Sequence, residues 1–200
     1  MVAWSLEHVP PHSTPAPHVL EIGSGNGTLL FALHEAGYPP ERLSGIDYSE
    51  DAVRLARAIG KSRAGGSGEI DEDEPHAQSD RITFNTCDFL RADVPLLYDM
   101  NRDGWDLVLD KGTFDAIALS EKDENGKNGA DLYPSRLRDI VKPGGFFLIT
   151  CASQEVWLSH VLTPRQSSLQ FYGRGAAGEV RQSRHRIKIS VRLAPASFRK

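Results

Sequence analysis

Apolar residues first gather at Val19-Leu20-Glu21-Ile22, a short run closed by glycines, which predicts a buried strand. Residues 28–36 then set Leu29, Leu30 and Leu33 on one helical face before Gly37, so strand, glycine turn and helix follow in order. Leu43-Ser44-Gly45-Ile46-Asp47 predicts a second strand, and the next helix carries Ser49 as its cap, with Glu50 and Asp51 in its positive first turn. That helix is expected to turn Ala52, Leu55, Ala56 and Ile59 inward and to end at Gly60. Three further strands are expected at 81–86, 105–109 and 145–150, the last almost continuously apolar, as in a sheet covered on both faces. Between the last two, Leu132, Leu137, Ile140 and Val141 predict a helical face, ended by Lys142-Pro143-Gly144-Gly145. Alternation at this spacing implies right-handed crossovers and a doubly wound, mostly parallel α/β sheet.

Two stretches break the pattern. Residues 9–17 hold Pro10, Pro11, Pro15 and Pro17, so residues 1–17 read as an extended lead-in to a core at 18–151. Residues 65–80 join Gly-Gly-Ser-Gly to Glu69, Asp71, Glu72, Asp73 and Glu74, a composition that buries little and reads as a mobile acidic loop.

Length and composition bound the rest. At 200 residues and 40% hydrophobic, the chain has the size of one globular domain. Its net charge of −4 is unevenly distributed, because residues 1–150 hold 14 basic and 25 acidic side chains and residues 151–200 hold 9 and 2. The last quarter is therefore a distinct, basic segment. Cys87 and Cys151 are the only cysteines, at no metal-ligand spacing, and both are expected as buried thiols in a reducing compartment. Apolar stretches stay short of a signal core or membrane span, which points to a cytoplasmic protein without a membrane partner.

Chemistry concentrates at strand ends. In Gly23-Ser24-Gly25-Asn26-Gly27 the glycines admit a ligand to the backbone, and Asp47, 20 residues beyond Gly27, stands where a carboxylate can accept from both ribose hydroxyls. A dinucleotide fingerprint would place its third glycine at position 28, which is Thr28. Glu21, just before the loop, would repel a pyrophosphate but suits a cation, and S-adenosyl-L-methionine carries a sulfonium and an ammonium. The alternative is a tight turn in which Glu21 serves only as a cap.

The string Val19-Leu20-Glu21-Ile22-Gly23-Ser24-Gly25-Asn26-Gly27 resembles motif I of class I S-adenosylmethionine-dependent methyltransferases. Further strings fall in the family's order. Gly45-Ile46-Asp47-Tyr48-Ser49 is similar to the ribose-binding end of strand two, Cys87-Asp88-Phe89 to the adenine-binding end of strand three, and Lys142-Pro143-Gly144-Gly145 to the turn before strand five. The resemblance assigns Glu21, Gly23, Ser24, Gly25, Gly27, Asp47, Tyr48, Asp88, Phe89 and Asp110 to the cofactor. Asp88 can accept from the adenine amine and Phe89 can flank the base; a turn cap and a core phenylalanine are the competing readings.

Asp110-Lys111-Gly112-Thr113-Phe114-Asp115 resembles the protein-lysine methyltransferases that modify translation elongation factor 1-alpha. Relatives with this string methylate lysine side chains or the amino terminus of that factor, so the resemblance implies this factor as partner, with lysine the expected acceptor; a monomer that contacts no nucleic acid is expected. Ligands of open α/β sheets sit beyond the carboxyl ends of the strands, so Asp110 would face the transferable methyl and orient the amine, with Thr113 beside it as a second catalytic candidate. The competing reading makes Asp110 and Thr113 caps of the following helix. A lysine with a pKa of about 10.4 is neutral in only about one molecule in a few thousand at pH 7. A nearby sulfonium and a dehydrated channel favour the neutral amine, so no dedicated base is required. Metal chemistry is disfavoured: the seven histidines form no ligand cluster, and His34-Glu35-Ala36-Gly37-Tyr38 lacks the second histidine of a zinc-protease helix.

Both ends depart from this family. The segment that precedes motif I in the family is nearly absent, and residues 152–200 do not follow the antiparallel strand pair beyond strand five, although residues 187–193 alternate as one surviving strand would. Arg181, Arg184, Arg186 and Lys188 allow a phosphate-binding tail, but a gene-model or splicing difference is the favoured reading, with the C-terminal strand pair incomplete or altered.

Overall fold

The computed structural model describes residues 1–64, 81–97, 101–121, 124, 126, 128–151, 169–171, 181–183 and 186–193, and from residue 151 onward it describes backbone alone. The expected acidic loop at 65–80 and most of the basic segment lie outside the described residues, as does the side chain of Cys151. Contacts divide the chain into two compact units, Met1–Arg102 and Asp103–Lys200, so the core expected at 18–151 is shared between them.

The first unit contains α1 (Val2–His8), β1 (Val19–Ile22), α2 (Thr28–Glu35), β2 (Leu43–Asp47), α3 (Glu50–Arg63) and β3 (Thr83–Thr86). Its strands run parallel in the order β3-β2-β1, with Val19 opposite Leu43 and Ser44 opposite Thr83. Every residue of β1 and β2 is buried, as expected of strands covered on both faces. Leu29, Leu30, Phe31 and Leu33 of α2 supply that cover, and the Ser49 hydroxyl caps α3 by accepting from Ala52 N–H at 3.3 Å.

Three expectations fail here. The lead-in is not extended throughout, because α1 occupies residues 2–8 and is anchored: Ser5 is buried, and the Tyr38 hydroxyl donates to Val9 O at 2.6 Å. That interior contact, not the proline content, decides where order begins. Leu55, expected inward, is 52% exposed; α3 buries Ala56, as expected, together with Val53, which was not. The helix also passes through Gly60 to Arg63, whose guanidinium pairs with Glu35 and lies over Phe31.

The second unit contains β4 (Trp105–Lys111), α4 (Thr113–Ala118), α5 (Gly129–Ile140), β5 (Val141–Cys151), β6 (Leu169–Phe171), β7 (Arg181–Ser183) and β8 (Arg186–Leu193). β4 and β5 are parallel, with α5 as their crossover; β8 then runs antiparallel to β5, and β6 and β7 pair antiparallel with β8. The expected terminal strand at 187–193 is present, and the backbone supplies β6 and β7 as further partners. Leu132, expected inward, is 53% exposed, while Ala130, Tyr133, Pro134 and Leu137 form the buried face.

Candidate functional site

The carboxyl ends of β1 and β2 meet at the glycine loop. Gly25 and Gly27 take φ of 54° and 77°, a left-handed conformation that side chains resist. The two glycines serve different ends: a Cβ on Gly27 would lie 2.6 Å from Phe84 Cζ, whereas a Cβ on Gly25 meets nothing within 4 Å. Gly27 lets the loop pack on the core, and Gly25 opens onto space where a ligand can approach. Asp47 fixes the loop in place. Its Oδ2 accepts from Gly25 N–H and its Oδ1 from Ser49 N–H, both at 2.9 Å.

The residues of this loop fit S-adenosylmethionine. Ser24 is 5% exposed and its Oγ is buried without a hydrogen-bond partner, a polar atom left for a ligand. Glu21 is 1% exposed, so its carboxylate sits at low dielectric, where a ligand cation is attracted strongly. Asp47 uses one lone pair on each oxygen for the loop and retains others for hydroxyl donors. Tyr48, next in sequence, is 83% exposed, so its ring is available as a flat surface.

Asp88 and Phe89 follow β3. Asp88 Oδ1 accepts from Leu90 N–H at 3.0 Å and Oδ2 from Arg91 Nη1 at 2.8 Å. Partial desolvation pushes its pKa up, but the Arg91 and Leu90 hydrogen bonds outweigh this and hold the carboxyl below its ordinary value. The turn-capping geometry is thus present at Asp88, and Phe89 is buried at 5% exposure, as a core residue would be.

In the second unit, Asp110 is the penultimate residue of β4 and has no exposed surface. Its Oδ1 accepts from Thr113 N–H at 2.7 Å, its Oδ2 from Phe114 N–H at 2.9 Å, and Oδ2 also accepts from the Tyr133 hydroxyl. Burial pushes its pKa up, the three hydrogen bonds pull it down, and the balance lies at about 6. The Tyr133 hydroxyl is raised well above its ordinary value by burial and by the Asp110 charge, so it remains a donor. Of the two readings of Asp110, the contacts are those of the capping one, an enclosed carboxylate that starts α4, with Thr113 taking part through its backbone N–H. Tyr133 was not among the sequence candidates. Its signal is present nonetheless: Asn128 and Asp131 form a capping box that sets the phase of α5, and Ala130, Tyr133, Pro134 and Leu137 then fall at i, i+3, i+4 and i+7. Among the described residues no group of His, Cys, Asp or Glu could hold a metal ion, and no helix is long and apolar enough to cross a membrane.

Residues 13–187 match a methyltransferase domain family, and the chain belongs to that family. The match reaches into the basic segment. Over 159 residues the chain is 36% identical to the protein-lysine N-methyltransferase efm4 of Schizosaccharomyces pombe, covering 75% of this chain and 59% of that protein. It is 33% identical to the human EEF1A lysine methyltransferase 2, covering 75% of this chain and 52% of that one. The chain thus spans little more than half the length of these relatives. Magnesium protoporphyrin IX methyltransferase from Synechocystis PCC 6803, solved with bound SAM, aligns over 96% of this chain and 76% of its own with a TM-score of 0.59; at 16% identity it shows a shared Rossmann-like fold and nothing of the acceptor.

Proposed function

We propose that the chain is an S-adenosylmethionine-dependent protein-lysine N-methyltransferase that acts in the cytoplasm on translation elongation factor 1-alpha. The acceptor class rests on the 36% identity to a protein-lysine N-methyltransferase over three quarters of the chain. The cofactor supplies an electrophilic methyl on a sulfonium. Glu21 answers the ligand's positive charge, Ser24 Oγ offers a hydrogen bond from a buried position, and Asp47 holds the loop while accepting from ribose hydroxyls. Asp88 keeps acceptor capacity for an amine beside its turn contacts.

Asp110 enters this reading as a positioning residue. A carboxylate without exposed surface that holds Thr113 N–H, Phe114 N–H and the Tyr133 hydroxyl fixes the course of the chain after β4. Any effect on the amine passes through the segment it orders, and Thr113 belongs to that segment. The test is incubation of the full chain with labelled cofactor and recombinant elongation factor 1-alpha. Label on a lysine is the expected result; no label, under conditions where a full-length relative transfers it, overturns the reading.

A further inference from the structure

The corner between α4 and α5 is built to be stable yet leaves apolar surface in solvent. Tyr133, in the second turn of α5, reaches Asp110, so this end of the helix stands at the carboxyl end of β4. Asn128 Nδ2 donates to Ala118 O at 3.0 Å and ties the start of α5 to the end of α4. At that junction Leu119 is 88% exposed and Leu132, beside Tyr133, is 53% exposed. Single exposed leucines are ordinary, but two at one anchored corner, at the strand ends where ligands of α/β folds bind, call for a partner. The border is acidic. Residues 113–136 carry five acidic and three basic side chains, Arg136 among the latter one turn beyond Leu132, and Glu121, Glu124 and Asp131 are exposed.

We propose that Leu119 and Leu132, bordered by Glu121, Glu124 and Asp131, form the docking surface for the lysine-bearing segment of the protein acceptor. This rests on the lysine-methyltransferase reading above. The charge decides the occupant: a segment that presents a lysine is locally cationic, so the acidic border attracts it while an apolar side chain of the segment covers the leucines. A small-molecule acceptor would need no such surface outside its pocket.

The double variant Leu119→Ser with Leu132→Ser tests this in the full chain, because side chains this exposed can be cut back without loss of fold. Binding of fluorescently labelled elongation factor 1-alpha, methyl transfer to it and cofactor affinity are measured on the same preparations. The expected result is a Kd and KM for the factor raised about tenfold or more, with kcat within about twofold and cofactor Kd unchanged. Leu119→Met should retain affinity, and Glu121→Lys with Glu124→Lys should weaken it most at low salt. Wild-type binding that the double variant loses supports the docking surface even where no methyl is transferred, an outcome that overturns only the catalytic reading. Equal binding by wild type and double variant, or none by wild type, overturns the docking surface.

Discussion

Asp47 and Asp110 are both aspartates at strand ends, yet their oxygens are engaged differently. Asp47 accepts two backbone N–H groups and remains 8% exposed, whereas Asp110 accepts three donors with no exposed surface. Asp47→Ala should therefore weaken S-adenosylmethionine binding by about 1.5–3 kcal/mol, the range for hydrogen bonds to a charged group, and should also lower Tm because Gly25 and Ser49 lose their acceptor. Calorimetry on folded protein checks it; an unchanged cofactor Kd removes Asp47 from the site. Asp110 should show itself through pH. Its folded pKa of about 6 lies above the unfolded value of about 3.9, so between these the folded state holds a proton that the unfolded state has released. Its contribution is full below about pH 4 and is lost as pH rises through 6, on the order of 3 kcal/mol in all. Urea midpoints for wild type and Asp110→Asn should thus converge or cross between pH 4 and 6 and run parallel above 7; a constant separation throughout would contradict a titrating Asp110.

At the scale of elements, the Ser49 cap and the buried face of α2 are legible in the sequence, and the buried faces of α3 and α5 only in part. Ser49 caps α3 as its place before Glu50 and Asp51 predicts, and β2 falls on the expected residues 43–47, because a strand between turn signals has little freedom of register. Leucine is the strongest apolar signal in each segment and predicts Leu55 and Leu132 inward, yet both are about half exposed. Ala56 and Leu137 are buried as expected, and the residues that complete the two interior faces, Val53 in α3 and Ala130 and Tyr133 in α5, are smaller or partly polar and give a weaker signal. Tyr133 counts as apolar only because Asp110 accepts from its hydroxyl, a long-range partner that no local window contains. For the same reason the glycine loop was legible and the enclosure of Asp110 was not. Asn128→Ala should cost α5 about 0.5–2 kcal/mol through loss of its cap, and it also removes the donor to Ala118 O. Thermal unfolding and protease susceptibility near residue 119 measure the two effects, and unchanged values in both would remove Asn128 as the tie between the helices.

For the whole molecule, the question is which parts of the chain the fold requires. Prolines make residues 1–17 read as a lead-in and a departure from the family's strand pair sets residues 152–200 apart in the sequence; the domain match covers 13–187, and the Tyr38 hydroxyl holds Val9 O within the first unit. In the second unit β8 pairs with β5 from Phe146↔Arg192 to Cys151↔Ile187, along the strand whose Phe147, Leu148 and Ile149 are fully or almost fully buried. A chain cut after residue 180 would lose β7 and β8 and leave that edge of β5 without its ladder. An unpaired apolar edge recruits other chains, so the shortened protein should aggregate at concentrations where the full chain stays dispersed, and should lose cooperative unfolding in its second unit. Light scattering and calorimetry on the two chains check this. Equal Tm and equal dispersion would mean that residues 181–200 are dispensable for the fold. Cofactor binding adds a sharper discrimination, because the glycine loop and Asp47 belong to the first unit. If the defect is confined to the second unit, the soluble fraction of the shortened chain should still bind S-adenosylmethionine while transferring no methyl.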